Sequence, residues 1–190
     1  MKKIKLLSVL CIVFLAGCMG PPSRYRVNLE DPILKNNSGI VFGRITSQRF
    51  FGLFMYNSDE PLGKGLGFKN LETNERFTYI GAKYFEMMLP QGTYALDGIG
   101  SPSGSLSPKG TPFTFSVKNK SVTYIGSIIG DRDLYTLIQS NKLDSSRAIP
   151  SKKYGQIEYF IVDEGDAVID EFLKLHPEID KMQIKKAFMK

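Results

Sequence analysis

The chain is short of the residues that most often carry chemistry in proteins. Its 190 residues include no tryptophan, one histidine (His176) and two cysteines, Cys11 and Cys18. So few nitrogen and sulfur donors do not make a conventional zinc site. A catalytic triad also needs a base held by a third group, and no serine or cysteine stands beside His176 in the sequence. The composition therefore predicts no enzyme, no cofactor and no metal site.

Long apolar runs are missing as well. The apolar stretch at residues 6–15 is about half of the roughly 20 residues that a membrane-spanning helix needs. Lys2, Lys3 and Lys5 precede it, and the small residues Ala16 and Gly17 follow it. A basic start, a short apolar core and small residues at its end are typical of a cleavable export signal. We expect residues 1–17 to be removed.

The sequence Leu15-Ala16-Gly17-Cys18 resembles the lipobox of bacterial lipoproteins. The resemblance implies that the Cys18 thiol receives a diacylglycerol before cleavage and that its new amine is then acylated. Two or three acyl chains give a stable anchor, whereas one chain binds only marginally. Met19, rather than Asp, follows the anchor, as in enterobacterial lipoproteins of the outer membrane. We therefore expect lipidation of Cys18, with the protein at the outer membrane facing the periplasm.

The positive charge of the chain comes partly from this signal. The formal net charge is +6, but without Lys2, Lys3 and Lys5 the balance is 22 basic against 19 acidic side chains, or +3. The other basic residues are scattered, apart from short pairs such as Lys152-Lys153. Because a nucleic-acid-binding protein usually shows a basic stripe, no nucleic-acid partner is expected. Export also accounts for both cysteines, so no disulfide is expected.

Beyond Cys18 the sequence divides into three parts. Residues 18–38 are polar and contain Pro21-Pro22, which predicts a flexible tether. Residues 39–162 alternate between apolar and polar positions, with turn residues between short runs, which predicts about eight strands. These strands are predicted at 40–46, 49–56, 75–80, 83–89, 93–97, 111–117, 121–129 and 154–162.

Turn residues predict two hairpins in this region. Pro90-Gln91-Gly92 separates two alternating runs, and Asn119-Lys120 separates the next two. The glycine-rich segments 63–67 and 98–110 lack the spacing of phosphate-binding or dinucleotide-binding loops. We interpret them as flexible connections.

Near the C-terminus the spacing of apolar residues changes from the alternation of a strand to the spacing of a helix. Ile169, Phe172, Leu173 and His176 fall at helical spacing, and Pro177 either ends this helix or begins a second one towards Lys186. The acidic residues of the segment do not match a calcium-binding loop and are interpreted as helix caps and dipole partners; they are Asp163, Glu164, Asp166, Asp170 and Glu171. Residues 163–190 are therefore predicted to be helical, and His176 to be a packed or helix-terminal residue. The expected fold is mainly β, an antiparallel β-sandwich with one or two C-terminal α-helices packed on it.

Residues 85–96, with Pro90-Gln91-Gly92 followed by Tyr94, resemble a hairpin of transthyretin-like and carboxypeptidase-regulatory-like sandwiches. Segments 113–117 and 122–126 are similar to such modules in bacterial lipoproteins. The resemblance covers about residues 39–130. It implies a binding or spacer domain and carries over no catalytic residue.

We therefore expect a membrane-anchored envelope lipoprotein of structural or binding type, whose partner is an envelope protein or the cell wall. Two alternatives stay open: an envelope hydrolase with dispersed catalytic residues, and an accessory subunit of a secretion or outer-membrane assembly complex. Tyr and Phe side chains on the strands could also stack on sugars, although aromatics at alternate strand positions are more often core residues.

Overall fold

The computed structural model describes residues 37–46, 49–51, 54–56, 64–81, 83–101, 104–131, 134–135, 139 and 148–190. The predicted export signal, Cys18 and nearly all of the predicted tether lie outside these residues. The described chain is mainly β, and an α-helix, a 3₁₀ turn and a short last strand follow the two long sheets in sequence. Its strands are β1 (Ser38–Thr46), β2 (Arg49–Phe51), β3 (Phe54–Tyr56), β4 (Lys64–Asn70), β5 (Arg76–Gly81), β6 (Tyr84–Pro90), β7 (Gly92–Ser101), β8 (Gly104–Leu106), β9 (Thr114–Val117), β10 (Val122–Gly130), β11 (Ala148–Tyr154), β12 (Ile157–Val162) and β13 (Ile184–Lys186).

Two large sheets contain most of these strands. Sheet I has the order β11-β12-β10-β1-β6, and β13 also pairs with β10. Sheet II has the order β5-β4-β7-β8, and β9 also pairs with β7. Strands β2 and β3 pair with each other in a separate two-stranded sheet. The antiparallel prediction fits sheet II, but sheet I is mixed, because β10 runs parallel to both β1 and β13.

Both sheets contribute side chains to one core. Phe85, Met87 and Leu89 of β6 are buried on one face of sheet I, as their alternation predicts. Leu66 and Phe68 of β4 belong to the same apolar cluster from sheet II. Burial of large apolar side chains contributes about 1.5–3 kcal/mol each, so this shared cluster is the main source of stability.

The outer face of sheet I is covered by helix α1 (Asp166–Leu175). Val168, Ile169 and Phe172 are the buried residues of the helix, in agreement with the predicted helical spacing. Phe172 stacks on Phe42 of β1, with ring centroids 4.0 Å apart. This contact joins the helix to β1 of sheet I.

Both predicted hairpin turns are crossovers between the sheets. Pro90-Gln91-Gly92 links β6 of sheet I to β7 of sheet II, and Asn119-Lys120 links β9 of sheet II to β10 of sheet I. The Tyr94 hydroxyl donates a hydrogen bond to the Pro90 carbonyl at 2.8 Å, which holds the first crossover. The hairpin interpretation was wrong because alternation tells which face meets the core, not which strand is the neighbour.

The two glycine-rich segments, predicted to be flexible connections, supply described residues of strands β4, β7 and β8. Gly65 and Gly67 lie in β4 and face Gly100 and Gly98 of β7. A Cβ atom on Gly100 would lie 3.1 Å from the Gly65 Cα, so the two backbones approach too closely there for side chains to face each other. The intervening Leu66 points into the core. Glycine therefore serves close strand packing here.

Pro177 ends helix α1 and does not begin a second α-helix. A 3₁₀ turn at Lys181–Gln183 follows, and the chain then enters β13. The last two residues join the sheets. The Met189 N–H donates to the Ile125 carbonyl of sheet I at 3.3 Å, and Lys190 exchanges two backbone hydrogen bonds with Thr114 of sheet II. The segment predicted to be helical thus supplies a helix, a strand and a link between the two sheets.

Candidate functional site

His176 lies at the C-terminal end of helix α1, between the helix and β6. Its side chain packs on the Phe172 ring, with centroids 4.7 Å apart, and the residue is 8% exposed. The Nε2 atom lies 2.7 Å from a carboxylate oxygen of Glu86, and the Nδ1 atom lies 3.4 Å from one of Glu178. Both ring nitrogens therefore face carboxylates.

This arrangement joins helix α1 to sheet I. Glu86 comes from β6, opposite Phe42 of β1, so its contact with His176 joins one end of α1 to sheet I. At the other end, Arg44 of β1 pairs at 2.5 Å with Glu164, which lies two residues before the first residue of the helix. Each ring nitrogen of His176 is directed at a carboxylate of the protein itself.

The acidic residues around α1 are also engaged in local contacts. Asp163 accepts a hydrogen bond from the Gly165 N–H at 2.8 Å, and Asp170 lies 2.9 Å from the Lys181 ammonium group. Gly165 is the N-cap and no side chain caps the helix, so the capping interpretation was wrong. Among the described residues, no group of three or more His, Cys, Asp or Glu side chains could hold a metal ion.

A polar cavity of about 700 Å³ lies where β1 begins and the two crossovers meet. The Asn37 carbonyl accepts from the Gln91 N–H at 2.7 Å, and the Ser38 carbonyl accepts from the Lys120 N–H at 2.7 Å. The start of β1 is thus tied to both crossovers at the rim. We call this cavity the tether-end pocket; its lining residues are Asn37, Glu72, Pro90, Gln91, Gly92, Thr93, Ser116, Val117 and Lys118.

The groups of the tether-end pocket suit binding. Glu72 supplies a carboxylate, of which one oxygen already accepts from the Thr93 N–H at 3.1 Å. Lys118 supplies an ammonium group and Gln91 an amide. Such groups hydrogen-bond a polar ligand or a polar protein surface. The sequence predicted turns at these positions but not the pocket, because the pocket exists only when both crossovers meet the start of β1.

No helix among the described residues is both long enough and apolar enough to cross a bilayer. Comparison of the chain with protein-family models, with curated proteins and with solved structures finds no match. The lipobox and the transthyretin-like module therefore stay predictions from the sequence.

Proposed function

We propose that the protein is a membrane-anchored cell-envelope lipoprotein of structural or binding type. The observation that carries this proposal is Leu15-Ala16-Gly17-Cys18 placed directly behind a basic start and a short apolar run. The described β domain begins at Ser38, twenty residues after Cys18. A polar segment of that length is sufficient to hold a domain away from the bilayer.

We also propose that the two sheets form a β-sandwich. The shared apolar cluster supports this arrangement, since two sheets that bury a common face pack as layers. The crossovers at Pro90-Gln91-Gly92 and Asn119-Lys120 connect the layers. In this proposal the domain presents its surface, including the tether-end pocket, to an envelope protein or to the cell wall.

Anchoring is tested by labelling cells with palmitate. We expect the wild-type chain to be labelled and a Cys18→Ser variant to remain unlabelled and unprocessed. Cys11→Ser is the matched control and should be labelled as the wild type is, because Cys11 leaves with the signal. Equal labelling of the Cys18→Ser variant and the wild type would contradict the proposal.

Binding is tested by crosslinking in cells from the tether-end pocket. A Gln91→Cys variant carries a thiol at the rim, and Tyr135→Cys, on a residue that is 63% exposed elsewhere, is its control. We expect a defined partner to crosslink to Gln91→Cys and not to Tyr135→Cys. The hydrolase alternative predicts turnover of peptidoglycan or ester substrates that is lost in His176→Ala, and such a loss would overturn the binding proposal.

A further inference from the structure

The tether-end pocket presents one acid and one base on two distant segments of the chain. Glu72 lies in the turn that follows β4, and Lys118 lies in the crossover that follows β9. Both residues are exposed. Within the described part of the chain, no ion pair involves either of them. The pocket therefore carries two opposite charges that the protein itself does not pair.

The backbone around Glu72 fixes the position of its carboxylate. Asn70, which is 2% exposed, accepts hydrogen bonds from the Glu72 and Thr73 N–H groups at 2.8 and 3.0 Å and so holds the turn. The Thr93 N–H donates to one carboxylate oxygen of Glu72 at 3.1 Å. A Cβ atom on Gly92 would lie 3.1 Å from the other oxygen, so a glycine there lets the carboxylate lie against the backbone of the pocket. That second oxygen remains available to a ligand.

The backbone at Lys118 is fixed as well. The Lys118 carbonyl accepts from the Ser121 hydroxyl at 2.6 Å and from the Ser121 N–H at 3.2 Å, which closes the second crossover. Both charges thus stand on backbone that is ordered before a ligand binds. Such preorganisation reduces the entropy that binding costs.

The lining of the pocket fits a small ligand that carries both charges. A purely anionic ligand would face the Glu72 carboxylate, and a purely cationic ligand would face the Lys118 ammonium group. The described residues that line the pocket include no aromatic side chain, whereas aromatic residues are typical anchors of protein–protein interfaces. A volume of about 700 Å³ lies within the usual range of small-ligand sites.

We propose that the tether-end pocket binds a short peptide that has a free amine and a free carboxylate. The amine lies at Glu72 and the carboxylate at Lys118. The peptide stems of a bacterial cell wall have this chemistry, so the inference rests on the proposed function and selects the cell wall as the partner. Because exposed charges are screened by ions, the affinity is weak and falls with added salt.

The probe for this site is the tripeptide L-Ala-γ-D-Glu-meso-diaminopimelate. Saturation-transfer NMR on the peptide signals measures its binding to the full-length lipoprotein in detergent. Glu72→Gln and Lys118→Met each remove one charge and nearly keep the size of the side chain. The matched controls are Glu75→Gln and Lys120→Met, which remove the same charges in the same turn and crossover but outside the pocket lining.

We expect Glu72→Gln and Lys118→Met each to raise the dissociation constant about fivefold, and the two controls to change it less than about twofold. A peptide with acetylated amines should bind the wild type and Glu72→Gln equally. A peptide with amidated carboxylates should bind the wild type and Lys118→Met equally. Both blocked peptides should also bind the wild type more weakly than the free peptide does, and this comparison does not depend on the folding of any variant.

Equal dissociation constants for the free and the blocked peptides, or no saturation transfer to the free peptide, would overturn the inference. A protein that crosslinks to Gln91→Cys and is not displaced by the tripeptide would also overturn it and would leave the proposed function standing. Conversely, a Cys18 without lipid contradicts the proposed function and not the peptide site. Circular dichroism of each variant verifies that the β domain is folded.

Discussion

Sheets I and II differ in how many of their faces are covered. Sheet I meets the shared core on one face and helix α1 on the other, and eight of the nine residues of β10 are buried. Among the described residues, sheet II buries one face in the shared core and leaves large side chains exposed on the other. On its edge strand β5, Phe77 is buried, whereas Thr78 and Ile80 are exposed.

The difference explains why the two sheets have different sequence patterns. A strand covered on both faces is apolar almost throughout, whereas a strand covered on one face alternates. The helix that causes this difference lies at the far end of the chain from β1. Two side-chain contacts hold it at its ends, Arg44 with Glu164 and His176 with Glu86.

The largest expected difference in unfolding free energy between the outer faces of the two sheets comes from replacing one apolar residue on each face by alanine. Phe42 lies beneath α1 and is 2% exposed, so Phe42→Ala should cost about 3–5 kcal/mol of unfolding free energy. Ile80 is 61% exposed on the outer side of sheet II, and Ile80→Ala should change it by less than about 0.5 kcal/mol. Urea unfolding measures both values. Equal costs would show that α1 does not cover sheet I in solution.

Buried tyrosines should make the covered sheet sensitive to alkali. Burial raises the pKa of Tyr124 and of Tyr154 to about 12. Below pH 10 both residues keep their protons in the folded and the unfolded chain. Between pH 10 and 12 only the unfolded chain releases them, so each tyrosine should lower stability by up to about 1.4 kcal/mol per pH unit.

Urea titrations at pH 9, 10 and 11 measure this loss. The variants Tyr124→Phe and Tyr154→Phe should each flatten the decline, although each also removes hydrogen bonds; the Tyr154 hydroxyl donates to Leu96 at 2.9 Å. If stability declines with pH as steeply in both variants as in the wild type, ionisation of these tyrosines is not the cause of the decline.

The sequence predicted the faces of strands better than their partners. Alternation in β6 and β9 identified Phe85, Met87 and Phe115 as buried, because periodicity of two reports directly on the side that meets the core. It could not identify the parallel pairing in which Ile40 is opposite Val122, since these residues are about eighty positions apart. Loop closure on that scale is decided by packing of the whole chain.

The sequence did not predict the glycine-rich strands or the candidate sites, for a related reason. Gly65 and Gly100 indicate loops in a single sequence, and only their partner strand shows that they permit close backbone contact. Helical spacing predicted that His176 ends α1, but its partner Glu86 lies 90 residues away. The tether-end pocket likewise depends on three distant segments.

The smallest expected difference in unfolding free energy between the two sheets comes from removing the arginine of one ion pair on each. Arg44 and Glu164 are mostly buried, with side-chain exposures of 18% and 12%, whereas Arg76 is 70% exposed beside Asp97 of sheet II. Within the described part of the chain, Arg44 Nε and Glu164 Oε2 are buried without a hydrogen-bond partner. Arg44→Met should therefore cost about 2 kcal/mol, because it leaves the Glu164 carboxylate without its cation.

Arg76→Met should cost less than about 0.5 kcal/mol, since an exposed ion pair gains little in water. The double variant Arg44→Met with Glu164→Gln should recover part of the loss, because no buried charge is then left alone. Urea unfolding of Arg44→Met alone, Glu164→Gln alone and the double variant measures the coupling between the two residues. Strict additivity of the Arg44 and Glu164 changes would mean that the pair does not hold α1 on sheet I, and that the Phe42–Phe172 stack is the main attachment.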